Sequence, residues 1–176
     1  RFTRLPDNKP TILCMGGSTG AVALNEALHA NLNALLKKYN IVHLCGKDKA
    51  DREYDGIPGY VQYEYIDKEM KDLLAMSDMV VSRAGANAIF EFLTLKKPNL
   101  LIPLPAASSR GDQILNAESF EKSGYSKVLF EEDITPESLL ESIEYVFANK
   151  DTYIRNMAGS EQRDAIGKII ELIESV

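Results

Sequence analysis

Six short runs of mostly apolar residues, spaced along the whole chain, constrain its fold more than any other feature. They are Thr11–Met15 (TILCM), Ile41–Cys45 (IVHLC), Val61–Ile66 (VQYEYI), Met79–Arg83 (MVVSR), Asn99–Pro103 (NLLIP) and Ser126–Phe130 (SKVLF). A strand wet on one face alternates apolar and polar residues, whereas a run apolar throughout has both faces covered. Strands of that kind belong to parallel sheets with helices packed on each side. VQYEYI alternates more than the others and is expected nearer an edge.

Helical patterns fill the intervals. In Ala21–Tyr39, Leu24, Leu28, Leu32, Leu35 and Leu36 recur mostly at steps of three and four and mark one buried face. Asp67 is placed to cap a helix through Met76, and two more helices are expected over Ala86–Leu95 and Asp112–Ser123. Thr135, followed by Pro136 and Glu137, reads as the capped start of a helix to about Phe147. A last helix, Ser160–Ser175, carries Ile166, Ile169, Ile170 and Ile173 on one side. Lys96 and Lys97 are expected to place positive charge at the end of the Ala86–Leu95 helix. Strand–helix alternation with right-handed crossovers predicts an α/β fold, a doubly wound, Rossmann-like parallel sheet of about six strands. Residues 1–9 read as a linker from an N-terminal domain, and residues 10–176 as one ligand-binding domain.

Composition narrows the function. Lys+Arg of 20 against Asp+Glu of 26 gives a net charge of −6, without the basic excess of a nucleic-acid binder. Cys14 and Cys45 sit inside apolar runs and read as buried, reduced thiols. No stretch of 18 apolar residues and no signal-peptide pattern occurs, and no Cys, His, Asp or Glu grouping has metal-ligand spacing. His29 and His43, inside a helix and a strand, read as structural, and Tyr63 with Tyr65 as packed on one strand face.

Open sheets of this class bind ligands beyond the carboxyl ends of their strands, and three strand exits have unusual compositions. The first is Gly16-Gly17-Ser18-Thr19-Gly20-Ala21, whose glycines suit either a tight strand-to-helix turn or a close approach of backbone amides to an anion. It is neither a GxGxxG nor a Walker loop. The second, Ser82-Arg83-Ala84-Gly85-Ala86-Asn87-Ala88, opens a helix with small residues, and Glu91 lies about one turn inside it. A carboxylate there can accept from both hydroxyls of a ribose, or simply complement the helix dipole. The third, Pro103–Ala117, passes through six small or polar residues, Ala106–Gly111, into a helix bearing Asp112, Gln113 and Asn116. These three offer polar groups suited to sugar hydroxyls, although Asp112 also fits an ordinary capped start.

Taken together, GGSTGAVALNEAL, YEYIDKEM, SRAGANAIFEFLTLKKPNLLIPLP and GDQILNAESFEKSG resemble the C-terminal domain of the MurG family. These are GT-B-fold hexosyltransferases that move N-acetylglucosamine from UDP to the peptidoglycan intermediate lipid I. The resemblance covers nearly the whole chain and is nearest to Gram-positive members. It implies that Gly17 and Ser18 meet the UDP diphosphate and that Ile66 bonds the uracil edge through its backbone. It further implies that Ala86, Asn87 and Ala88 present amides to the phosphates and the sugar 4-hydroxyl, that Glu91 holds the ribose, and that Gln113 and Asn116 bind N-acetylglucosamine. Asp112 stands where some members carry Gln, so nucleotide preference is better specified than sugar preference. The same resemblance places the lipid acceptor and the general base in an N-terminal half, names no cofactor or metal, and sets the enzyme peripherally on the cytoplasmic face of the bacterial membrane, in cell-wall synthesis, cell shape and division. Two other readings of the fold are a small donor-binding subunit of a two-part membrane glycosyltransferase and a UDP-N-acetylglucosamine 2-epimerase relative.

Overall fold

The structure is a computed structural model that describes residues 5, 6, 8–17 and 21–160. Its centre is a six-stranded, wholly parallel sheet of order β3-β2-β1-β4-β5-β6. The strands are β1 (Thr11–Met15), β2 (Asn40–Leu44), β3 (Tyr60–Tyr63), β4 (Met79–Ser82), β5 (Asn99–Leu101) and β6 (Lys127–Val128). All six fall on the apolar runs of the sequence. β1 lies in the middle, with Ile12 in register with Ile41 on one side and Met79 on the other. Its Ile12, Leu13 and Cys14 are wholly buried, as an all-apolar central strand requires. The Tyr60–Tyr63 strand is an edge, as its alternation predicts.

Helices cover both faces: α1 (Val22–Ala30), α2 (Leu32–Leu35), α3 (Met70–Met76), α4 (Ala86–Leu95), α5 (Ala106–Ser109), α6 (Asp112–Lys122), α7 (Pro136–Ala148) and α8 (Lys150–Ala158). Leu24, Leu28, Leu32 and Leu35 are all buried, but the helix expected over Ala21–Tyr39 is broken at Asn31. The Asn31 amide donates to Ala27 O at 2.9 Å and also to Pro136 O, tying the end of α1 to the start of α7. An Asn side chain that bonds backbone in this way competes with helix continuation. Asp67 does not cap α3: the helix begins at Met70, after a turn in which the Met70 amide donates to Asp67 O. Thr135 caps α7 as expected, its hydroxyl accepting from Ser138 N at 3.1 Å while Ser138 Oγ accepts from Thr135 N at 2.8 Å. Beyond Ser160, the helix expected over Ser160–Ser175 lies outside the described residues.

Lys97 serves a different helix from the one expected. Lys96 adopts a left-handed backbone at φ 53° and turns the chain off the end of α4. The Lys97 ammonium then donates to Ala75 O and Ser77 O, at the last turn of α3. The amino edge of the sheet is closed by short polar side chains: Asn40 donates to Pro6 O and Lys9 O, Asp78 accepts from Thr11 N, and Asn99 donates to Lys97 O and Tyr125 O. The chain winds outward from β1 to β3 and then, in the opposite direction, from β4 to β6. The crevice where that direction reverses opens beyond the carboxyl ends of β1 and β4.

Candidate functional site

Two helices start at this crevice. β4 leads through Arg83, Ala84 and Gly85 into α4, whose first helical hydrogen bond runs from Ile89 N to Gly85 O at 3.1 Å. The amides of Ala86, Asn87 and Ala88 precede that bond and have no carbonyl of their own helix to meet. Gly85, at the cap position, has no side chain to offer them. Its backbone, φ −67° and ψ 139°, is one that any residue can adopt. A Cβ built there would meet no protein atom within 4 Å. Neither conformation nor internal packing therefore requires glycine here, and the space beside this helix start is open.

β1 leads through Gly16 and Gly17 to α1, capped by Ala21, again a residue with no polar side chain. Gly17 sits at φ 88°, a left-handed conformation that favours glycine. Ser18 lies outside the described residues. α6 also starts on a glycine, Gly111. The contrast is α7, which begins against the end of α1, away from the crevice, and carries a complete reciprocal cap.

Arg83 binds the strand exits to one another. It is 8% exposed; its Nε donates to Gly16 O at 3.4 Å, its Nη1 to Ile102 O at 3.2 Å, and its Nη2 pairs with Glu131. One guanidinium thus reaches the exits of β1 and β5 and the segment after β6, while standing on the exit of β4. The sequence reading assigned it no task. Its signal was there, since a long cation closing a buried apolar strand and followed only by small residues has to find acceptors in neighbouring loops.

Gln113 and Asn116, one turn apart on α6, both reach the segment before α4. Gln113 Oε1 accepts from Ala84 N at 3.2 Å and from Leu104 N at 3.1 Å, and Asn116 Nδ2 donates to Ala84 O at 3.0 Å. These bonds fix both amide orientations, leaving the Nε2 donors of Gln113 and the Oδ1 acceptor of Asn116 for other partners.

The remaining candidates occupy two recesses flanking the start of α3. Ile66 and Gly17 share an apolar pocket of about 180 Å³ with Met15, Leu44, Tyr65 and Met70. Tyr65 is 67% exposed at its rim rather than packed beside Tyr63 on a strand face. β3 ends at Tyr63 because its neighbour β2 ends opposite it, at Leu44, before the chain turns through Gly46 at φ 96°. Glu91 lies in a separate groove of about 420 Å³ between α3 and α4, with Lys71, Ala75, Phe90, Thr94 and Leu95. Gly17 with Ile66, Glu91, and Gln113 with Asn116 therefore fall in three neighbouring places. α4 joins the last two, its free amides at one end and Glu91 a turn further on.

The histidines are structural, as expected. Asn25 Nδ2 donates to Cys45 O, so its Oδ1 accepts from His43 Nε2–H at 3.0 Å. His43 Nδ1 must then accept from the Tyr60 hydroxyl at 2.8 Å, and Tyr60 Oη accepts from His29 Nε2–H at 3.1 Å. The order of donors is fixed along the whole chain, with the His43 ring neutral. Burial pushes the His43 pKa down to about 3, helped by neighbouring His29, and burial also lowers that of His29. Both cysteines are free and buried, and burial raises the Cys14 thiol to about 12. Among the described residues no group of three or more His, Cys, Asp and Glu is placed to hold a metal, and no helix is long and apolar enough to cross a membrane.

The model of the glycosyltransferase family 28 C-terminal domain matches residues 11–172. The chain belongs to that family. A curated relative from Lachnospira eligens, a UDP-N-acetylglucosamine–N-acetylmuramyl-(pentapeptide) pyrophosphoryl-undecaprenol N-acetylglucosamine transferase, is 58% identical over 167 residues, covering 95% of this chain and 47% of the relative. A transferase of the same name from Geobacillus thermodenitrificans is 54% identical over 175 residues, 99% of this chain and 49% of its own length. The chain thus spans about half the length of the curated relatives it matches. The crystal structure of Acinetobacter baumannii MurG superposes with a TM-score of 0.73 at 27% identity, over 97% of this chain and 51% of that one. The glycotransferase of kitacinnamycin shares the fold, with a TM-score of 0.73 at 21% identity, over 88% of this chain and 39% of that one. The expected fold, the C-terminal half of a GT-B glycosyltransferase, is the one found.

Proposed function

We propose that this domain holds UDP-N-acetylglucosamine as the donor for N-acetylglucosamine transfer to lipid I in peptidoglycan synthesis. The observation that carries the proposal is the start of α4, where three amides without a helical partner follow a glycine that has open space beside it and that the fold itself does not need. An array of this kind at a helix N-terminus suits a diphosphate. The start of α1, with Gly17 and Ser18, adds a second one. The uracil meets the backbone of Ile66 in the apolar pocket, Glu91 accepts from the ribose, and the Nε2 of Gln113 donates to the sugar. Names and identities of the relatives support this choice of donor. In this reading the acceptor lipid and the general base belong to the N-terminal half expected from the family resemblance, and the whole enzyme works at the cytoplasmic face of the membrane.

Titration calorimetry of this chain with UDP-N-acetylglucosamine, UDP and the corresponding ADP compounds tests the donor assignment. Binding of both uridine ligands, with ADP compounds much weaker, is the expected result. Equal affinity for ADP and UDP compounds would sink the uracil assignment, and no binding of either would sink the site.

A further inference from the structure

We infer that Asn25 is a positioning residue that fixes the start of α1 at a set distance from the apolar pocket of Ile66. The inference rests on the donor reading above, in which that pocket takes the uracil and the start of α1 takes part of the diphosphate. Val22, Ala23 and Leu24 fill the first turn of α1 with apolar side chains, and the backbone N–H of Asn25 donates to Ala21 O at 2.9 Å, the bond that closes the turn. The three amides before that bond have no partner in their own helix. Burial of apolar side chains is non-directional, whereas a hydrogen bond from this turn to a strand exit fixes both distance and orientation.

Asn25 supplies that bond. Its Nδ2 donates to Cys45 O at 2.9 Å, one residue beyond the end of β2 at Leu44, and Leu44 lines the apolar pocket with Gly17 and Ile66. The amide is itself held, since its Oδ1 accepts from His43 Nε2–H at 3.0 Å and His43 Nδ1 accepts from the Tyr60 hydroxyl at 2.8 Å. His43 and Cys45 are wholly buried and Asn25 is 8% exposed, so water competes little for these bonds. Buried polar groups are costly unless paired, and here the pairing runs from the first turn of α1 to residues of β2 and β3. The spacing between helix start and pocket is thereby referred to the sheet rather than to a loop.

Spacing matters only to a ligand that occupies both places. In the donor reading uridine reaches the pocket and Glu91 alone, whereas UDP extends to the helix starts as well. The experiment titrates uridine and UDP into wild type, Asn25→Leu, His43→Leu and the double variant, by NMR for the weaker ligand and calorimetry for the tighter, with thermal melts alongside. The double variant removes both partners together, which costs the fold less than stranding one of them. The expected result is that UDP affinity falls roughly three- to tenfold in the folded variants, as for one hydrogen bond lost, while uridine affinity stays within about twofold. His43→Leu should show this selective loss although the wholly buried residue 43 touches no ligand. Selective loss in Asn25→Leu with none in His43→Leu would make Asn25 a direct phosphate ligand and overturn the inference. Equal losses on uridine and UDP, or unchanged affinity for UDP, would overturn it too. So would failure of every variant to fold, since Asn25 would then hold the domain rather than the helix start. Wild type that binds UDP no better than uridine, or neither of them, would instead overturn the donor reading itself.

Discussion

Replacing Gly85 with alanine should separate stability from binding, because the methyl group would point away from the protein. The backbone at φ −67° and ψ 139° accepts alanine, and the added Cβ meets nothing within 4 Å. Removing a glycine from the unfolded ensemble stabilises by about 0.4–1 kcal/mol at a compatible position. Alanine is a poorer helix N-cap than glycine, which costs about as much, on the order of 0.5–1 kcal/mol. The two nearly cancel, so the melting temperature should stay within about 2 °C of wild type, given roughly 2–4 °C per kcal/mol for a domain of this size. Ligand binding should respond quite differently. The methyl enters the open space beside the start of α4, and a charge-assisted hydrogen bond to the diphosphate that it displaces there is worth about 1.5–3 kcal/mol. Affinity for UDP and for UDP-N-acetylglucosamine should fall at least about tenfold, since each tenfold corresponds to about 1.4 kcal/mol. Calorimetry and a thermal melt on the same preparation decide the matter. A variant that melts like wild type and binds UDP as tightly would refute the placing of the diphosphate at this helix.

Glu91→Ala should weaken UDP binding by about 1.5–3 kcal/mol through loss of the ribose hydrogen bonds; equal affinity in a folded variant would remove Glu91 from the site. Donor binding should be the same with and without EDTA, because in the proposed site helix-start amides rather than a divalent cation would face the diphosphate; a large loss with chelator would point to a metal-bridged phosphate. Acid should destabilise the fold through His43, whose pKa is near 3 when folded and 6.5 in the reference state. The folded form keeps this ring neutral, so stability from it is intact above pH 6.5 and declines as the unfolded chain takes up the proton, by about 1.4 kcal/mol per pH unit until about pH 3. At pH 5 the loss is about 2 kcal/mol. Urea melts at pH 7 and pH 5 on wild type and His43→Gln would show it, and an equal pH dependence in the two chains would contradict the assignment.

The frame of the fold was legible because burial on both faces leaves runs such as TILCM and MVVSR almost free of polar residues, and because glycines and a Thr-Pro pair mark helix starts. What stayed hidden depends on partners distant in sequence. Nothing local to Asn31 announces that its amide will bond Pro136 across the domain and end a helix. Nothing in KKP shows that Lys97 will serve α3. The strand expected through Ile66 stops at Tyr63 because its neighbour ends, a fact of pairing rather than propensity. The candidate site divides along the same line. Residue types at strand exits point to Gly17, Ala86–Ala88, Glu91, Gln113 and Asn116, and the family resemblance adds Ile66, but only coordinates reveal that Gln113 and Asn116 grip the same residue. Arg83 was visible and unassigned for the same reason.

The missing caps at Ala21 and Gly85 carry a consequence for anyone who would make this domain sturdier. A serine, threonine or aspartate commonly adds about 1 kcal/mol to a helix in place of alanine and about a few tenths in place of glycine. At the crevice it would do so by satisfying the same amides that a diphosphate would use, and an aspartate would also repel that anion. Thermostabilised variants selected without ligand should therefore gain caps at these two starts and lose the donor in proportion. Selection in the presence of UDP should spare them, because a bound nucleotide raises the stability of the unsubstituted domain by mass action.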